Sequence, residues 1–223
     1  MEGPEATGVP DTWNYSLFKD YLLALSRGKD FILPLEQYPR EIELSQEWHK
    51  ILNSMRDRTA KTRVEHVALI ATSKRMRSIL LPSTPASGWS SHHVHPLATQ
   101  IQITRARLDP RIDGYIGLFH SHPPQDIGFF RFKIPMGRLS AGDLHIVLTS
   151  PSILAIGVTD GIRNSLAFRT RESITPSETQ DKFYDLWEGE PQPSNLDRVI
   201  SEKYKIALYR GAPDQKLTRT NPK

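Results

Sequence analysis

The sequence predicts an α/β protein built on a central mixed β-sheet flanked by helices. Three observations carry that expectation. Short apolar or alternating runs, separated by turn residues, crowd the chain between Glu65 and Arg169. Apolar residues at helical spacing precede and follow that stretch. Strands and helices do not alternate regularly, so the sheet is not expected to be a purely parallel, doubly wound one.

The elements follow in chain order. Residues 1–11 are rich in Pro, Gly and acid and read as a loose terminus. Leu17, Phe18, Tyr21, Leu22 and Leu25 fall on one helical face that Gly28 closes. Pro34 interrupts the apolar piece Phe31 to Leu35, and Pro39 marks a second break. Ser45 is placed to cap a helix carrying Trp48, Ile51, Leu52 and Met55, with Lys50, Arg56, Asp57 and Arg58 on its solvated side. Strands are expected at His66 to Thr72 and Arg77 to Leu81, then a loop over Pro82 to Ser91. An alternating strand follows over Thr99 to Leu108, and turns at Asp109-Pro110 and Asp113-Gly114. Tyr115 to Phe119, Leu144 to Leu148 and Leu154 to Val158 read as buried strands, and Asp160-Gly161 as a hairpin turn into a last strand near Ser165 to Arg169.

Beyond Thr175 the texture becomes helical. Pro176 to Glu188 carries Phe183, Leu186 and Trp187, and Ser194 to Tyr209 carries Leu196, Val199, Ile200, Tyr204 and Leu208. These stripes either pack on the sheet or dock a partner. The basic tail from Gly211 is expected to be disordered, with Lys203, Lys205, Arg210, Lys216 and Arg219 solvated or attracting an acidic partner.

Composition excludes several classes of function. The 223 residues hold 29 Lys and Arg against 25 Asp and Glu, a net charge of +4. That mild bias is no nucleic-acid signature. The absence of cysteine removes disulfides, thiolate nucleophiles and cysteine-based metal sites, so a metal here is held by His, Asp, Glu or backbone oxygen. No apolar run approaches the roughly 18 residues of a spanning helix. The opening Met1-Glu2-Gly3-Pro4 carries no basic and apolar leader pattern, so a cytoplasmic protein is expected.

Chemistry concentrates in Gly117-Leu118-Phe119-His120-Ser121-His122-Pro123 and in Ser140-Ala141-Gly142-Asp143. Two histidines at i and i+2 at the end of a strand point to one side, so their imidazoles can share an ion. A hydrolytic zinc takes three protein ligands and keeps a position for water, and Asp143 is the candidate third ligand. Asp126, four residues after His122, is its rival. Hydrolysis also needs a base, for which Glu65 stands at the entry to a buried strand, and an oxyanion donor, for which Ser140 is placed. A second His-x-His-Pro at His93-Val94-His95-Pro96, beside His92, follows a Pro/Ser/Gly loop and ranks lower. His66 and His145 flank Glu65 and Asp143 and are expected on opposite faces, hence not as ligands.

With these residues the chain resembles the JAMM/MPN+ zinc metalloproteases from about Ser45 to Thr170. The resemblance implies a cytidine-deaminase-like JAB/MPN fold over 41–175, an N-terminal extension with one helix over 1–40, and a C-terminal helical extension with a basic tail over 176–223. It implies zinc as cofactor, held by His120, His122 and Asp143, with Glu65 as general base and Ser140 stabilising the oxyanion. The implied activity is hydrolysis of the isopeptide bond after the C-terminal Gly of ubiquitin or a ubiquitin-like protein. Cognate activating and conjugating enzymes are the implied partners, with neither nucleic acid nor membrane. Alternatives are release of a small adduct from a ubiquitin-like sulfur carrier, and a non-catalytic scaffold subunit of the same fold. One departure stands out. In the family the aspartate follows the second histidine by 11 positions, whereas Asp143 follows His122 by 21. The excess lies within Pro124 to Leu139, where Phe129, Phe130 and Phe132 form either a surface loop tucked on the sheet or a flap that meets substrate.

Overall fold

A computed structural model describes residues 32–73, 78–80, 86–87, 110, 112, 114–123, 139–150, 153–176 and 196–220. The helix expected over Leu17 to Leu25, the strand over Thr99 to Leu108, the His92/His93/His95 cluster, Asp126, the phenylalanines at 129, 130 and 132, and Phe183 to Trp187 lie outside the described residues.

A short 3-10 turn, Leu35–Gln37, precedes β1 (Glu41–Ile42) and the long helix α1 (Gln46–Thr62). Then come β2 (His66–Ser73), β3 (Ser78–Leu80), β4 (Ala86–Ser87) and β5 (Gly114–Ser121). Helix α2 (Ala141–Thr149) leads to the hairpin β6 (Ala155–Thr159) and β7 (Asn164–Phe168), and helix α3 (Leu196–Tyr204) to β8 (Ala207–Gly211) and β9 (Leu217–Arg219). The strands form one sheet in the order β1-β9-β8-β7-β6-β5-β2-β3, with β4 also on β2. Among the described strands only β5 and β6 run parallel, so the sheet is mixed, as expected.

Strand alternation divides the core into two layers. On one face Trp48, Leu52 and Met55 of α1 pack against Ala68, Ile70, Phe119, Leu166, Phe168 and Tyr209. Trp48 meets Phe119 edge-on, with ring centroids 5.8 Å apart. On the other face Leu144, Val147 and Leu148 of α2 and Ile200 and Tyr204 of α3 cover Ile156, Val158, Ala167 and Leu208. The expected helix start at Ser45 is there, its hydroxyl accepting from Trp48 N at 3.4 Å. The Asp160-Gly161 turn joins β6 to β7, with Gly161 at φ 92°, where a side chain would be strained.

Three expectations are corrected. Leu144 to Leu148 is helix, not strand. A short apolar run buried on a sheet has no period that separates the two states, and the cap at Ser140 decides it. The helix expected over Ser194 to Tyr209 ends at Tyr204, because Lys205 takes a left-handed conformation at φ 54° and turns the chain into β8. Leu208 is therefore a strand residue. The tail from Gly211 is not disordered as far as Thr220: β9 pairs with β8 and β1, and Leu217 is wholly buried. Of the basic residues expected to be solvated, Arg210 and Arg219 are tied in, whereas Lys203, Lys205 and Lys216 are exposed. Arg219 donates to the carbonyls of Leu35 and Tyr38 at 2.9 and 2.8 Å, and Arg210 pairs with buried Asp197. The loop over Pro82 to Ser91 also contains a short pairing, Val67 with Ala86.

No helix among the described residues is long and apolar enough to cross a membrane. The integration of β9 gives a direct test. Leu217→Ala should destabilise the protein by about 2–5 kcal/mol, the cost of emptying a packed leucine site. Urea unfolding measures it, and a loss under about 0.5 kcal/mol, typical of a solvated tail residue, contradicts the placement.

Candidate metal centre

The site is assembled by the only parallel crossover among the described strands. Strand β5 ends at Ser121, the chain returns through α2, and β6 lies beside β5 in register, His120 opposite Val158. Such a crossover brings the helix N-terminus back beside the carboxyl end of the first strand. His120 and His122 sit at that strand end, and Asp143 lies in the first turn of α2. The pairing needs a glycine at 117, where a Cβ would stand 1.7 Å from the Ala155 carbonyl oxygen.

A reciprocal capping box builds the start of α2. Ser140 Oγ accepts from Asp143 N at 3.1 Å, and Ser140 N donates to Asp143 Oδ2 at 2.7 Å. The Ser140 hydroxyl also donates to Asp143 Oδ2, at 2.8 Å. Oδ2 is thereby held by two donors, and Oδ1 faces His120 Nε2 at 3.3 Å. The two imidazoles meet at Nε2 to Nε2, 3.0 Å apart, and His122 Nε2 is 4.0 Å from Asp143 Oδ2. His120 also hydrogen-bonds the backbone of Gly157, which fixes its ring as outer partners fix metal-binding histidines.

His120, His122 and Asp143 each offer a donor atom within 4.8 Å of the others and can hold a metal ion. The spacing suits that use: donors bonded at about 2.0–2.1 Å around a tetrahedral ion lie roughly 3.3 Å apart. Two imidazoles and one carboxylate favour a divalent transition metal over Ca2+ or Mg2+, which prefer oxygen shells. Glu65 is buried, with Oε1 3.9 Å from His122 Nε2. A cavity of about 340 Å³ opens beside His122, lined by Arg56, Asp57, Asp160, Gly161 and Pro213.

Four ionisable groups so close set one another's charge. Burial alone would neutralise His120, but the Asp143 carboxylate and then Glu65 outweigh it and push the ring up to about 9. Burial likewise raises Asp143, yet His120, then His122 and the Ser140 N–H, hold its carboxyl well below the usual range. Glu65 goes the other way: burial pushes it up to about 7, with His120 opposing and Asp143 adding to the rise. The metal-free centre is thus a His120 cation paired with an Asp143 anion, beside a carboxyl that ionises near neutrality.

The structure brings together five residues named from the sequence, His120, His122, Asp143, Glu65 and Ser140, the last as the cap that aims Asp143. His145 and His66 are not in the donor group, as expected. The reason for His145 is different, since it lies on a helix rather than a strand. Sequence reading missed Thr59, Ser121 and His66 as a buried polar group behind the site. Ser121 gave one signal, its position between the two histidines, which turns it to the opposite face. Neither protein-family models nor curated proteins gave a match to the chain.

Two outcomes follow from the charges. Metal uptake at pH 7 must expel a proton from His120, so the heat of binding should change with the ionisation enthalpy of the buffer. Identical calorimetric heats in phosphate and Tris contradict this. Secondly, the raised Glu65 pKa contributes stability that is complete below about 4.5 and lost as pH rises through about 7. With chelator present, Glu65→Gln should therefore be more stable than wild type at about pH 8, by roughly 1–3 kcal/mol, and the gain should vanish near pH 4. A pH-independent difference in urea midpoints contradicts it.

Proposed function

We propose that the chain is a zinc-dependent isopeptidase of the JAMM/MPN+ type, acting in the cytoplasm on the bond after the C-terminal Gly of ubiquitin or a ubiquitin-like protein. The observation that carries this reading is the convergence of His120, His122 and Asp143, with a buried Glu65 directly across from His122. Its second support is that the order and identity of these residues match the family's motif, although Asp143 comes late in the chain.

His120, His122 and Asp143 would hold the zinc. When bound, such an ion would supply Lewis acidity toward a carbonyl and a water. Glu65, with a pKa raised to about 7 by burial in the metal-free protein, is poised to take a proton at Oε and return it to the leaving amine. Ser140 stabilises the oxyanion, a role in which its hydroxyl exchanges Asp143 Oδ2 for the substrate oxygen. The modifier's tail lies extended along a strand edge and pairs through its backbone. Cognate activating and conjugating enzymes supply the conjugate.

The ten extra residues lie in the sequence between β5 and α2, and His120, His122 and Asp143 still come together.

Purified protein should carry about one zinc per chain and cleave at least one conjugate in a panel of modifiers. Glu65→Gln should keep the zinc and lose about 10²- to 10⁴-fold in turnover, the usual contribution of a positioned base. Metal analysis with a gel-based cleavage assay reads both. Undiminished turnover in that variant removes Glu65 from the mechanism, and a metal-free, inactive wild type removes the isopeptidase.

A further inference from the structure

The cross-strand ladder between β2 and β5 has Val67 opposite His120 as its last regular pair. Continuing that register sets His66 opposite Ser121 and Glu65 opposite His122. Backbone pairing does not hold these two steps. Instead, the His66 N–H, which belongs to the peptide joining Glu65 to His66, donates to Ser121 Oγ at 3.0 Å. Ser121 Oγ lies 2.5 Å from Thr59 Oγ1, and Thr59 Oγ1 lies 3.1 Å from His66 Nδ1. His66 Nδ1 is also 2.9 Å from the Val64 carbonyl, which can only accept, so that nitrogen carries the proton.

These three side chains are almost wholly inaccessible, at 1%, 2% and 0% for Thr59, His66 and Ser121. They stand on the α1 face of the strands, opposite the face that carries His120 and Glu65. Together they join the end of α1, the start of β2 and the residue between the two candidate metal-binding histidines. A buried polar group of this kind is tolerated only when its members satisfy one another, so it permits one arrangement of the three segments. The α1–β2 connection adds to the constraint, since Arg63 turns at φ 58° with its N–H on the Thr59 carbonyl at 2.8 Å.

We propose that Ser121, locked by Thr59 and His66, is a positioning residue that sets the Glu65 carboxylate against His122 from the far side of the strands. Thr59 and His66 complete the latch. The kinetic part of this inference rests on the isopeptidase reading, while the placement of Glu65 does not.

The test compares Ser121→Ala, Thr59→Val and Thr59→Ser in zinc-loaded protein. Crystal structures give the Glu65 to His122 distance, and cleavage assays separate kcat from KM. Ser121→Ala should bind zinc as wild type does, with the Glu65 carboxylate withdrawn from His122 by about 1 Å, a misplacement worth about ten- to a hundredfold in kcat with KM little changed. Thr59→Val, which keeps the shape without the hydroxyl, should move in the same direction, and Thr59→Ser should restore wild-type values. Should Ser121→Ala not fold, Thr59→Val against Thr59→Ser decides. A Glu65 carboxylate unmoved in these variants overturns the proposal, whatever the activity. If wild type cleaves no conjugate, the isopeptidase reading fails and the crystal structures still decide the positioning. If the displaced variants cleave as fast as wild type, the positioning role fails and the reading stands.

Discussion

The candidate centre depends on one backbone constraint, the parallel pairing of β5 with β6 through α2. That crossover returns the helix N-terminus to the end of β5, where His120 and His122 emerge. The capping box with Ser140 fixes both the start of the helix and the orientation of the Asp143 carboxylate. Gly117 is the residue that permits the constraint, since any side chain there would collide with the Ala155 carbonyl. The same pairing places the Gly157 backbone against His120.

The electrostatics favour an occupied centre. Taking charges out of water is costly, and a buried ion pair repays that cost only with good geometry and further hydrogen bonds. His120 and Asp143 have both, but Glu65 beside them is a carboxyl that burial pushes towards neutrality. A divalent cation replaces one imidazolium charge with two, relieving the crowd of acceptors and favouring the ionised form of the neighbouring carboxylate. Four ionisable groups that make an awkward core without an ion become a coherent one around it. Folding alone gives no evident reason to bury two imidazoles and two carboxyls at one strand end.

Much of this was legible in the residues, and the exceptions have physical causes. The His120-Ser121-His122 alternation fixes a common side for the imidazoles from strand geometry alone. The long α1 was readable because Ser45, Trp48, Leu52 and Met55 combine a cap with a full amphipathic period. Leu144 to Leu148 was not, since an apolar run buried on a sheet suits either state. The end of α3 was hidden too: Lys205 turns the chain without the glycine or proline that usually marks such a stop. Arg219 looks like a tail charge in sequence, and only the folded position of Leu35 and Tyr38 shows what it binds. The Thr59–Ser121–His66 group is legible in no local pattern, because its members meet across 62 and 55 positions.

X-ray absorption at the zinc edge of the metal-loaded protein tests the central claim most directly. The account predicts a low-coordinate site with nitrogen and oxygen ligands at about 2.0–2.1 Å and outer-shell scattering from two imidazoles, one of which disappears in His120→Ala. A spectrum without imidazole scattering, or one unchanged in that variant, would contradict it.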